Sequence, residues 1–416
     1  MRTHLSIGME LTTDADTRRF QHLQMLETLQ VRKVQRGREA TFDMQSKTLS
    51  AFSEKNANSY AVIRLAAAIA VIVTHAFGVV GGWAAVEPLA ESTGWSLAAH
   101  AVHVFFVLSG FMVAASWERS AGWIDFVLAR MLRVFPALIV VNITIVLIGG
   151  LWLTTATPGV FWTFENIGVF MTKATLLFSV GVSLDGVFTD NPMGGSANIP
   201  IWTIRFEVIC YATLLVFMSM LAALGLRGLA RLIPVVPVLG LCAVAITISG
   251  DPERFSFAAQ LARFMLAFYI GVACWIAREF VPIRRDFALA FAVLTVAVLM
   301  IDQPIRYPVM IAATAYWSLW LGTFPMGRLQ RWTAHTDLSY GAYITGFFIQ
   351  QWLVYAVPDM TVAQNASIAT VLALGAAWVS WTFVEKPALR LRNPILSRMG
   401  LVAQPSRRAL KTAEAT

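Results

Sequence analysis

Charge and cysteine are what this sequence has least of. Only 13% of its 416 residues are charged, against 57% hydrophobic, and the mean hydropathy is +0.65. A water-soluble chain this poor in charge would have no surface to show solvent, so a soluble globular protein is excluded and many membrane crossings are implied. The three cysteines, Cys210, Cys242 and Cys274, all lie in apolar stretches and form neither a disulfide framework nor a metal-binding spacing. The polar start carries no cationic-then-apolar signal peptide. The net charge of +8 would suggest nucleic acid in a soluble protein. Here the basic residues have first to be sorted by side of the membrane, and no nucleic-acid partner is expected.

What is present is a series of apolar segments at about 61–80, 98–117, 134–153, 199–222, 232–249, 258–277, 286–301, 308–324, 338–357 and 365–384. The expected fold is all-α: a polytopic membrane protein of about ten transmembrane helices. Residues 160–182 are apolar but broken by Glu165, Lys173 and glycines, which suits a re-entrant or interfacial piece. The membrane domain runs over 59–390, between a polar cytoplasmic extension (1–58) and a basic cytoplasmic tail (391–416). Within the extension, Phe20, Leu23, Leu26, Leu29 and Val34 have helical spacing. Either an amphipathic helix lies on the membrane there, or translation begins at Met44.

Lysine and arginine orient the bundle. With the N-terminus inside, the inner connections hold Arg119, Arg130, Arg133, Arg227, Arg231, Arg278, Arg284, Arg285, Arg328 and Arg331. The outer ones hold only Lys173, Arg254 and Arg306. This bias predicts an even number of spans with both termini cytoplasmic.

Within the first span, Arg64 and His75 are separated by ten residues, all apolar except Thr74. Eleven steps of about 100° return to within about 20° of the start, so both side chains share one helix face, about 16 Å apart along the axis. Ionisable groups inside a span mark functional pathways; the competing reading is an arginine snorkelling at one surface and a histidine capping the far end. His100 and His103 open the second span, three apart on one face. With His75 they suggest a three-histidine metal site, but no carboxylate or cysteine completes a known spacing, so no metal is expected. Ser109 and Gly110, farther along, read as small residues for close helix packing.

Arg130 and Arg133 lie one turn apart before Pro136. They serve either as ordinary anchoring or as a phosphate clamp at the cytoplasmic face, guanidinium matching phosphate oxygens in pairs. Glu207 and Tyr211 are four apart in the fourth span and can hydrogen-bond along one face. A carboxylate there must be paired or protonated, and Glu207 could orient a histidine on a neighbouring helix. Tyr340 and Tyr343 can present two hydroxyls, and Glu385 ends the last span.

Taken in order, Arg64 with His75, Phe105-Phe-Val-Leu-Ser-Gly-Phe111, Arg130-x-x-Arg133 with Pro136, Trp202-Thr-x-x-x-Glu207 with Tyr211, Ser339-Tyr-Gly-x-Tyr343 and Glu385-x-Pro387 make the chain resemble the acyltransferase-3 family of integral-membrane O-acyltransferases over about 59–390. The resemblance implies transfer of an acyl group, usually acetyl, from a coenzyme A thioester to a hydroxyl of an envelope or exported glycan or glycolipid, in the bacterial inner membrane. It maps the family's first-span arginine and histidine onto Arg64 and His75, its basic pair onto Arg130 and Arg133, and its Trp-Ser/Thr-x-x-x-Glu element onto Trp202 to Glu207. Acyl-coenzyme A is then a co-substrate, with no bound cofactor. Three positions depart from the family pattern. His103 stands where an acidic or polar residue is common, Arg205 where a small or polar one is usual, and Gly346 where a histidine often follows the second tyrosine.

The resulting expectation makes His75 the base or acyl carrier with Glu207 supporting it, and Arg64, Arg130 and Arg133 the donor-binding residues. His103, Ser109, Trp202, Tyr211, Tyr340, Tyr343 and Glu385 are further candidates. The rival class is a transporter or flippase for a glycan or lipid, since intramembrane His, Glu and Arg also mark proton and substrate paths. The internal repeat many transporters carry is not visible here.

Overall fold

The computed structural model describes residues 47–54, 57–176, 183–249, 256–301 and 304–401. The segment 20–34 and residues 402–416 of the tail lie outside these. Ten helices of fifteen or more residues dominate: α1 (Tyr60–Gly81), α2 (Leu97–Arg119), α3 (Trp123–Ile148), α4 (Ile204–Ala223), α5 (Leu232–Ser249), α6 (Phe257–Ile276), α7 (Arg285–Leu299), α8 (Arg306–Leu321), α9 (Ser339–Ala356) and α10 (Val362–Ser380). No strand forms among the described residues beyond isolated bridges at Thr48–Pro282 and Thr154–Val187.

Among the described residues, seven stretches are long and apolar enough to cross a membrane: Tyr60–Gly81, Leu97–Arg119, Trp123–Leu153, Pro200–Ala223, Gly228–Ile248, Phe257–Ile276 and Val362–Arg398. The expected count of ten is therefore met for seven. The other three expected spans are helical but fall short for identifiable reasons. With 15 and 16 residues, α7 and α8 reach only about 23 Å at 1.5 Å per residue, less than a hydrocarbon core of about 30 Å. With 18 residues α9 is long enough, but Gln350, Gln351 and its hydroxyl side chains dilute its apolarity.

The third span begins at Trp123, not near 134, because nothing between Trp123 and Val134 breaks a helix and Pro136 is accommodated inside it. Arg130 and Arg133 consequently project from the helix itself. The start of α3 is tied to the C-terminal helix Arg392–Arg398: Arg392 Nε and Nη2 donate to the two oxygens of buried Asp125 at 2.6 and 2.8 Å. Of the region expected to be re-entrant, the described part is a short helix (Pro158–Phe161), a π-helical turn (Phe164–Gly168) and Val169–Leu176, none long enough to span.

Helix α2 is the middle of the bundle. Two-thirds (67%) of its span is buried, against 17% for peripheral α5. It packs on α6 and α1, and α1 packs in turn on α9 and α10. The α2–α6 crossing is set by two glycines. A Cβ on Gly110 would lie 1.9 Å from the Phe268 carbonyl oxygen, and one on Gly271 would lie 2.1 Å from that of Val107. The backbones touch there, as small residues allow within membranes. The close-packing reading of Gly110 is thus met. At the α1–α9–α10 junction, buried Gln350 donates to the Ile72 carbonyl at 2.8 Å and to Asn365 Oδ1 at 3.0 Å, while Asn365 Nδ2 donates back to the Gln350 carbonyl at 3.2 Å. Hydrogen bonds across helices are retained in lipid because an unsatisfied polar group there costs several kcal/mol.

Candidate active site

Helix α1 is unbroken from Tyr60 to Gly81, so Arg64 and His75 keep their eleven-residue register on one face. His75 Nδ1 lies 2.8 Å from the carbonyl oxygen of Val71. A carbonyl can only accept, so Nδ1 carries a proton, and in the neutral ring Nε2 keeps its lone pair. The ring meets Phe347 of α9 edge-on at 5.5 Å between centroids, and the residue is half-buried.

The C-terminal end of α1 is covered by the segment preceding α4. Gly78, one turn beyond His75, faces the Met193 side chain, and Gly82, at φ +82°, faces the Pro192 carbonyl. That segment is pinned by Gln351, which donates to the carbonyls of Met193 and Ser196 at 2.8 and 3.2 Å and accepts from Asn191 at 2.9 Å. Thr74 donates to Glu87, whose carboxylate accepts the Leu97 N–H at the start of α2. The loop between α1 and α2 is thereby stitched to the turn that carries His75.

Toward the other end lies a cavity lined by Arg64, Phe105, Ser109, Thr203, Glu207, Tyr340 and Tyr343, among others. Glu207 accepts a short hydrogen bond from the Tyr211 hydroxyl, realising the pairing read from their spacing. Ser109 donates to Glu207 and Tyr211 at 3.4 Å. The hydrogen bonds of Glu207 therefore go to Tyr211 and Ser109, and the His75 ring is oriented by the Val71 carbonyl. The hydroxyls of Tyr340 and Tyr343 on α9 are engaged with backbone, Tyr340 donating to Val134 O at 2.8 Å and Tyr343 to Pro200 O at 3.0 Å. Their rings wall the cavity. Trp202 packs edge-on against Phe206 at 5.7 Å.

The basic residues do not converge on a vacant anion site. Arg133 donates to Asp337 and Glu385, both at 2.7 Å, and Arg64 donates to the same Asp337 oxygen at 3.0 Å. Glu385, 1% exposed, is brought to Arg133 by a π-helical turn (Trp381–Glu385) that continues α10. Burial pushes the Asp337 carboxyl up, but the charges of Arg64 and Arg133 hold it well below the usual carboxylate range. Arg130 differs. Its Nη2 donates to Ser116 at 3.3 Å, its guanidinium sits 5.8 Å from the Tyr211 ring, and its buried Nε has no hydrogen-bond partner among the described residues.

The histidines do not assemble either. His100 and His103 pack on Trp95, with ring centroids 5.7 and 4.7 Å apart, while His75 packs on Phe347. His103 is fully buried, and neither ring nitrogen has a hydrogen-bond partner among the described residues. No group of three potential metal ligands occurs among the described residues.

Asp337 is the member of this site that the sequence did not reveal. Its signal was an acidic residue two positions before the Ser339-Tyr340 motif, where an Asx side chain can accept the Ser339 N–H, as it does at 3.1 Å.

Histidine, arginine and carboxylate side chains within one helical bundle suit an enzyme and a transporter alike, and the comparison with known families decides between them. The chain belongs to the acyltransferase-3 family: the family's acyltransferase-domain model matches residues 58–385. Nodulation protein 10 of Rhizobium leguminosarum bv. viciae is 25% identical over 84% of this chain and 98% of its own length. The O-acetyl transferase of Shigella phage Sf6 is 23% identical over 82% of this chain and 98% of its own. No solved structure matches the chain significantly.

Proposed function

We propose that this acyltransferase moves an acyl group, acetyl in the first instance, from a coenzyme A thioester to a hydroxyl of an envelope or exported glycan or glycolipid. The reaction takes place in the bacterial inner membrane, with both termini cytoplasmic. The observation that carries the mechanism is the Nδ1–Val71 hydrogen bond, which fixes the tautomer and leaves Nε2 as a base. Nε2 takes the proton of the acceptor hydroxyl as its oxygen attacks the thioester carbonyl carbon. The tetrahedral intermediate then collapses, the C–S bond breaks, and the departing thiolate takes the proton back from the imidazolium. A thioester is already activated, so deprotonation and support of the developing oxyanion are the main demands on the protein.

The donor reaches His75 from the arginine end. Arg64 lines the cavity, and Arg130 supplies positive charge that forms no ion pair with a carboxylate among the described residues. In this reading Arg133 contributes through Asp337 and Glu385, holding α3 against α9 and the end of α10. Glu207 fixes Ser109 and Tyr211 in the cavity wall and supports the chemistry from there. The O-acetyl transferase name of the phage relative favours acetyl as the group transferred.

The test is release of thiol from acetyl-coenzyme A by purified protein in detergent, with membrane vesicles as acceptor source, together with mass spectrometry of envelope glycans from a deletion strain. Acylation needs no second compartment, whereas transport does. Absence of thiol release together with an unchanged glycan mass profile would reject the reading.

A further inference from the structure

Asp337 sits in the turn between the short helix Gly327–Thr333 and α9, outside the seven spans. Its Oδ2 accepts from Arg64 at 3.0 Å and from Arg133 at 2.7 Å, and its Oδ1 accepts the Ser339 N–H at 3.1 Å and the Ser339 hydroxyl at 2.6 Å. One carboxylate is thus gripped by α1, by α3 and by the first turn of α9. Its own orientation is fixed by Ser339, so it can fix others.

What it fixes is the guanidinium of Arg64. That group gives Nη1 to Asp337, lies 5.9 Å from the Phe105 ring and lines the cavity that also holds Ser109 and Glu207. An arginine side chain carries about 2 kcal/mol of rotamer entropy. With no fixed acceptor it would sample several poses, and only some would face the cavity. The pair is mostly buried, at 15% and 20% exposure, so water screens it far less than a surface pair. Arg133 does not substitute for Asp337 here, because it carries the same charge as Arg64 and can only repel it.

We propose that Asp337 is a positioning residue for the acyl-transfer reaction: it locks the Arg64 guanidinium against the cavity wall, in the pose that meets the acyl donor. The inference rests on the acyl-coenzyme A reading above. Two simpler roles make different predictions. A mere counter-charge would, when removed, leave more positive charge and draw the anionic donor in more tightly. A merely structural ion pair would, when removed, lower the melting temperature and leave the kinetic constants alone.

The experiment uses full-length protein in detergent with acetyl-coenzyme A, comparing wild type, Asp337→Asn, Arg64→Gln and the double variant. Asp337→Asn lowers kcat/KM at least tenfold. Added to Arg64→Gln it costs less than a further twofold, because its effect runs through Arg64. A wild-type or raised kcat/KM for Asp337→Asn overturns the proposal, as do losses that multiply in the double variant. Should Asp337→Asn not fold, Arg64→Lys tests the same geometry. Lysine keeps the charge but lacks the fork that reaches Asp337 and the cavity together, so a similar loss is expected and wild-type kinetics would overturn the proposal. A wild-type protein that releases no thiol rejects the donor reading and this inference with it; an active wild type with an equally active Asp337→Asn rejects this inference alone.

Discussion

The Nδ1 atom of His75 lies 2.8 Å from the carbonyl oxygen of Val71, one turn back along the same helix. On the proposed reading, the base is prepared by its own helix. His75→Ala should abolish acyl transfer while leaving membrane insertion and donor binding nearly unchanged, since the loss falls in the transition state. A drop of about 10²–10⁴ in rate is expected for removal of a general base. Acetyl transfer by the purified variant measures it, and a near-wild-type rate would pass the role to another histidine, His103 first.

Glu207→Gln should cost less than His75→Ala. The amide keeps an acceptor for Tyr211 and Ser109 but loses the charge, and charge-assisted hydrogen bonds are roughly twice as strong as neutral ones. Tyr211→Phe, which removes the donor of the short bond, should fall in the same range. Steady-state rates of the two variants, compared side by side, check this; a Glu207→Gln loss as deep as that of His75→Ala would mean that Glu207 itself moves the proton.

Arg130→Ala should raise the apparent KM for acetyl-coenzyme A more than it slows turnover at saturation. Its guanidinium is the one in the site without a carboxylate on it among the described residues, so its charge is available to an anionic donor. Donor titration of the folded variant is the measurement. An unchanged KM would return Arg130 to anchoring.

Gly110→Ala should destabilise the bundle by about 3 kcal/mol or more, the upper range for overpacking. The added carbon would meet the backbone of Phe268, which cannot rotate away as a side chain can. Gly271→Ala should do the same from the other side of the crossing. Thermal melts in detergent report both.

Stability should fall in acid through Asp337. Its folded-state carboxyl is held low, so the contribution is fully present above the unfolded value of about 3.9 and is lost as the pH drops through the folded value. Melting temperatures of wild type and Asp337→Asn should therefore differ at neutral pH and converge as the pH falls below about 4. Parallel curves across that range would contradict the assignment.

Much of this site was legible because its signals are local. The Arg64–His75 register and the Glu207–Tyr211 pairing are matters of helix period within one span, and both hold. Long-range pairing was not legible. The arginine partners of Asp337 lie 204 and 273 residues away in sequence, and no periodicity reports such a contact. For the same reason Arg130 and Arg133 looked like two members of one clamp. Neighbouring helices separate them, giving Arg133 two carboxylates and Arg130 a serine and a tyrosine ring. Seven of the ten expected spans meet the length and apolarity of a membrane crossing, and the short helices α7 and α8 leave the full count unconfirmed.

The quartet of Arg64, Arg133, Asp337 and Glu385 sums to zero formal charge. A voltage across the membrane does about 2.3 kcal/mol of work on each unit charge moved through 100 mV, but none on a neutral group that moves as a unit. Replacing any one member by a neutral residue turns the quartet into a monopole, whose position then answers to the energised state of the membrane.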